Sequence, residues 1–210
     1  MGMDVSVSEQ VSGPAVISKE VESESFPCDE KVVFHESSFF KQHGASASLP
    51  SPTEVRETAS QSGDVGSRRI TRPPPVIFRS LGLLVKYGTE VTLAEGQCLL
   101  LVRKLLSPDV PVPEVYGWCK DSKQTFIYMQ LVEGVTLEKS WEKMAEEERV
   151  SVCSQLRHMV EAWRCLKQDT SYSFIGKVVS HVVFACSTIP FSFLNPTLYI
   201  LEFSDCIRVL

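Results

Sequence analysis

The chain is short of the features that mark several common protein classes. Paired cysteines are missing: the seven cysteines are odd in number and include no Cys-x-x-Cys pair, and the four histidines complete no zinc spacing. That argues against a disulfide scaffold or a structural metal site, and for a reduced, cytoplasmic setting. Excess positive charge is missing too. Lysine and arginine number 21 against 26 aspartates and glutamates, a net charge of −5, whereas a nucleic-acid binder shows a basic patch. The opening residues, MGMDVSVSEQ, have no basic stretch leading into an apolar one, so they do not form a secretory signal. They match the N-myristoylation pattern at Gly2 and Ser6, a pattern short enough to arise by chance. Glycine is sparse where a phosphate-cradling loop would need it. Only Gly82 stands between the apolar runs at 76–79 and 83–86, and a cradle of backbone amides wants several.

What is present suffices for a core. The hydrophobic fraction is 43% and the charged fraction 22%, an ordinary globular balance. Residues 1–38 begin acidic and rich in Ser, Val and Glu without a sustained period, so they are expected to be disordered or loosely docked. Within 31–40, Val32, Val33, Phe34, Phe39 and Phe40 supply enough apolar surface to dock on a domain. Ser51-Pro52-Thr53-Glu54 is a helix start with a capping box, and that helix is expected to reach about Ala59 or Ser60. A Gly/Ser-rich break follows, then Arg68, Arg69 and Arg72 ahead of Pro73-Pro74-Pro75. The arginines read as a solvated edge, and the prolines force an extended entry.

Two strands are predicted over 76–79 and 83–86, the second ending on Lys86. Thr92 to Glu95 form another capping box. It opens a helix that Ser107-Pro108 stops, with apolar residues on most sides, which predicts burial on more than one side. Strands over 114–119 and 125–132 follow, the second rich in aromatic and β-branched residues. Thr136 caps a short helix bearing Leu137 and Trp141. Glu146, Glu147 and Glu148 begin a longer one, where the helix dipole favours negative charge. Its Val152, Cys153, Leu156, Met159, Val160, Trp163 and Leu166 fall on one face, and that face needs a partner.

The segments LPSPTEVRE, RPPPVIFRSLGLLVKYG, TLAEGQCLLLVR, VPVPEVYGW, TFIYMQLVEGVTLEKSW and QLRHMVEAWRCL, with FIG at 174–176, carry a resemblance by their order and spacing. Over 39–176, about two-thirds of the chain, the sequence resembles the aminoglycoside phosphotransferase (choline-kinase-like) family, in the form abundant in filamentous fungi. The resemblance implies an α+β fold. Residues 39–133 would form a protein-kinase-like small lobe, a small antiparallel sheet plus a helix, and 134–176 the first helices of an incomplete large lobe. It implies ATP and magnesium as cofactors and phosphorylation of a small-molecule hydroxyl by the complete family member. Lys86 matches the strand lysine that pairs with the nucleotide α/β-phosphates, and Glu95 the helix glutamate that orients it. Met129, Gln130, Leu131 and Val132 match the strap between lobes whose backbone holds the adenine. Taken without the resemblance, capping alone explains Glu95, a solvated strand end explains Lys86, and the strap residues are core strand. The surrounding layout favours the phosphate role for the pair.

The resemblance also shows what is lacking. The family's catalytic aspartate, in a His/Asn-Gly-Asp-type loop, and its later Ile-Asp magnesium ligand have no counterpart in this sequence. After Gly176 no histidine is followed closely by an aspartate, and the only later acidic side chains are Glu202 and Asp205. A general base is typically worth ~10²–10⁴-fold, so no catalytic or metal residue is assigned and the chain reads as catalytically incomplete. Its end, 177–210, turns abruptly apolar, and residues 178–200 hold no Asp, Glu, Lys or Arg. Translation of a retained intron is the favoured reading of this tail; a tail anchor and a short isoform are the others. The alternative to a nucleotide-binding chain is a non-catalytic interaction protein or one tethered to a membrane by that tail.

Overall fold

The computed structural model describes residues 19–20, 27–44, 46–62 and 71–167. The myristoylation pattern, Arg68, Arg69, Gly176 and the tail at 177–210 lie outside the described residues. In chain order the elements are β1 (Lys19–Glu20), β2 (Lys31–Val33), α1 (Ser38–His43), α2 (Pro52–Gln61), β3 (Val76–Phe78), β4 (Leu83–Gly88), α3 (Leu93–Leu106), β5 (Val115–Asp121), β6 (Gln124–Gln130), α4 (Leu137–Ser140), α5 (Glu146–Arg164) and β7 (Leu166–Lys167). The fold is α+β, built on a five-stranded antiparallel sheet of order β2-β5-β6-β4-β3.

Alternation along the strands sorts side chains to two faces. On β4, Leu83, Val85 and Tyr87 join Phe126 and Tyr128 of β6 beneath α1 and α2, whose Phe39, Phe40, Val55 and Ala59 close that core. The opposite residues, Leu84 of β4 and Ile127 and Met129 of β6, join Trp118 and Val115 beneath α3. Trp118, 1% exposed, is fixed there by its indole N–H donating to the Asp29 carbonyl at 3.0 Å and by an edge-on contact with Phe34. Helix α3 turns its other side to α5. Val102, Leu106 and Val110 enclose Trp163, with Met159 and Ala162 alongside. Burial of α3 on two sides follows from its all-round apolar pattern.

Several boundaries differ from those the sequence predicts. β2 pairs with β5 through Lys31↔Cys119, Val32↔Trp118 and Val33↔Gly117, so the sheet draws in residues ahead of 39. The strand expected over 125–132 ends at Gln130, and Leu131 and Val132 leave it as a strap. Helix α5 stops at Arg164, and Leu166 lies instead in β7, paired in parallel with β1. The face of α5 that needs a partner finds one in α3 over its last turns. Val152 and Leu156, further up, are half-buried. Among the described residues no helix is long and apolar enough to cross a membrane.

Candidate functional site

Lys86 falls on the α3 face of the sheet because it is two residues beyond Leu84 on β4. Opposite it, α3 begins. Helix α3 lies close to the sheet because its second turn carries Gly96. A Cβ at that position would stand 3.1 Å from Trp118 Cε3 and 3.6 Å from Ile127 Cγ2. The residue before it, Glu95, is thereby brought to Lys86, with Nζ 2.5 Å from Oε2. Both side chains are largely withdrawn from solvent, 17% and 16% exposed.

Glu95 caps the helix and meets Lys86 at once, on different atoms. Oε2 takes the lysine, while Oε1 accepts the Thr92 backbone N–H at 3.2 Å, which is the capping interaction. The cap fixes the carboxylate from behind, so the lysine meets an acceptor that is already oriented. Lys86 is not a solvated strand end.

A third group was not legible as part of the site. Arg72 Nη2 lies 3.4 Å from Glu95 Oε1, although the arginine reads from the sequence as a solvated edge. Its approach depends on Gly88, the last residue of β4. At φ +144° this glycine lies so close to the Thr71 carbonyl that a Cβ would overlap it. The same carbonyl accepts the Glu90 N–H at 2.9 Å. Thr71 is thus pinned over the end of the strand, and Arg72 follows it toward Glu95. The local signal was the position of Arg72 before three prolines, which holds the backbone extended. Its partner lies 23 residues away, beyond the reach of any local pattern.

The strap lies at the other end of β4, where Leu83 stands opposite Gln130. Met129 is buried in the α3-face core, whereas Gln130 is exposed and Leu131 and Val132 are half-buried. The Gln130 N–H donates to the Glu114 carbonyl at 2.8 Å and the Leu131 N–H to the Gly82 carbonyl at 2.9 Å. Those two amides serve the fold, so Val132 is the first strap residue past them. Lys86 stands opposite Ile127, three residues along the strand from Leu83, which is about 10 Å at the usual strand rise.

The arrangement is suited to holding an anion. Two cations stand against one carboxylate beside the N-terminus of α3, where the helix dipole adds positive potential. A unit charge about 4 Å from such a cation gains about 1 kcal/mol in water and about 4 kcal/mol at a partly enclosed surface. Among the described residues no cluster of three or more His, Cys, Asp or Glu is placed to hold a metal ion. No family model, curated protein or solved structure matches the chain.

Proposed function

We propose that this chain binds a nucleoside triphosphate as the small lobe of a kinase-like phosphotransferase of the aminoglycoside phosphotransferase type. Lys86 takes the α/β-phosphates, Glu95 positions it, and the strap from Met129 to Val132 meets the adenine. The observation that carries this reading is the Lys86–Glu95 pair, strand lysine to helix glutamate at 2.5 Å and largely enclosed. The strand–helix–strand–strand order and the strap at the far end of β4 support it. Within the strap, Val132 carries the adenine contact most directly, because the Gln130 and Leu131 amides are engaged by the fold. In the complete family type the chemistry is transfer of the ATP γ-phosphate to a small-molecule hydroxyl. Positioning and charge neutralisation drive that step. Lys86 is the positioning cation in this reading; the sequence shows no counterpart of the family's catalytic aspartate loop or of its magnesium ligand, so nucleotide binding is proposed and no transfer step is assigned to these residues. Magnesium is therefore assigned no residue here.

Isothermal titration of the full chain with ATP and magnesium tests the reading. Wild type is expected to saturate. Lys86→Met keeps the bulk of the stem but removes the charge, and should weaken binding by about 10- to 100-fold, the loss typical of a hydrogen bond to a charged group. Equal binding by wild type and Lys86→Met would sink the assignment, as would absence of binding by a folded wild type.

A further inference from the structure

Glu95 divides its two oxygens unequally between its cations. Lys86 is held at 2.5 Å and is 17% exposed, whereas Arg72 stands at 3.4 Å and is 36% exposed. One cation is therefore enclosed, while the other is more open to solvent. A guanidinium presents five N–H donors in a planar fork, so it grips a carboxylate and a phosphate at once in a way that a lysine ammonium does not. The two cations also enter from different directions. Along β4 the strap meets Leu83, Lys86 follows three residues on, and Thr71 covers Gly88 at the far end. Arg72 comes in from that far end.

Resting on the nucleotide reading above, we propose that Arg72 binds the distal phosphates of the nucleotide and so makes the site select by phosphate number. A nucleotide with its base at the strap and its first phosphates at Lys86 directs the remaining phosphates toward Arg72. The inner phosphates meet a cation already satisfied by Glu95. The outer ones meet a guanidinium that is more open to solvent than Lys86 and presents several N–H donors. AMP ends before Arg72, ADP reaches its vicinity, and ATP engages it.

The test is competition of ATP, ADP and AMP, each with magnesium, against a fluorescent ATP analogue on the full chain. Wild type, Arg72→Ala, Arg72→Gln and Lys86→Met are compared, with thermal melts to show that each is folded. Arg72→Gln keeps the stem and a donor toward Glu95, so the outcome does not hang on one variant's folding. Wild type should prefer ATP over AMP. Both Arg72 variants should lose about ten-fold or more for ATP and less than about two-fold for AMP, the difference expected when one charge-assisted contact goes. Equal losses for ATP and AMP would overturn the proposal, placing Arg72 in the role of a support for Glu95. Unchanged affinities for both nucleotides would also overturn it. Failure of the underlying reading looks different: wild type then binds none of the three nucleotides, or Lys86→Met binds them as wild type does.

Discussion

Cys119 and Tyr128 face each other inside the core beneath α1 and α2, with Sγ and Oη 3.6 Å apart. Burial pushes the thiol up from its ordinary value and pushes the Tyr128 phenol further, the neighbouring thiol adding to the effect. Burial also raises Tyr116 and Tyr87. Each of these groups is neutral when protonated, so a raised folded value means that the native state keeps its proton at a pH where the unfolded chain loses it. Their stabilising contribution is complete below the unfolded values, near 9 for the thiol and 10 for the phenols, and is lost as pH climbs beyond them. Stability should hold through neutrality and then fall from about pH 9 upward, at up to about 1.4 kcal/mol per pH unit for each such group. Tyr128→Phe removes one titrating phenol and a weak contact. Denaturant titrations should find it within about 1 kcal/mol of wild type at pH 7 and falling more gently above pH 10. A variant as steep as wild type there would show that Tyr128 ionises in the native core.

Helix α3 does most to shape the candidate site, and Gly96 sets how close it lies. Valine at 96 would press on Trp118 and Ile127, and the Trp118 ring is fixed by its bond to Asp29 and its contact with Phe34. Overpacking of this kind costs about 1–3 kcal/mol. Gly96→Val should therefore lower the denaturation midpoint and, by lifting Glu95 off Lys86, weaken the proposed ATP binding as well. Alanine discriminates less, since its helix preference of about 1 kcal/mol over glycine offsets a 3.1 Å contact. A Gly96→Val chain that binds ATP like wild type would separate the helix position from the lysine's function. The start of α3 was legible because a capping box is local, with Thr92 and Glu95 three residues apart. Strands β4 and β6 were legible for the same reason, their pattern being carried by neighbours in sequence. What failed to show was fixed at long range. β2 has only three residues, and its strand character comes from pairing with β5. Arg72 is explained by Gly88 and Glu95, neither adjacent to it. The end of β6 at Gln130 is set by the Glu114 and Gly82 carbonyls, which no local pattern near 131 reveals.

The three apolar clusters among the described residues are not equivalent in what they hold together. Two lie on opposite faces of the sheet and tie α1, α2 and α3 to it. The third joins α5 to the back of α3 through Trp163, which is 9% exposed against Val102, Leu106 and Val110. Among the described residues, α5 is thus attached through its C-terminal half to a helix that the sheet already holds, while Val150 nearer its start is exposed. Such an arrangement gives the molecule separable levels of stability, because opening α5 need not expose either sheet core. Trp163→Ala tests this. Removing a core tryptophan typically costs about 3–5 kcal/mol, but here the loss should be felt mainly by α5. In hydrogen exchange followed by mass spectrometry, amides of α5 should lose protection in the variant while those of β4, β5 and β6 keep theirs. The Lys86–Glu95–Arg72 cluster lies on the sheet side of α3, so the affinity of the proposed ATP site should change by less than about three-fold, under 1 kcal/mol. Uniform loss of protection across α5 and the sheet would instead make α5 a part of the single cooperative core, and the proposed nucleotide site would then depend on its docking.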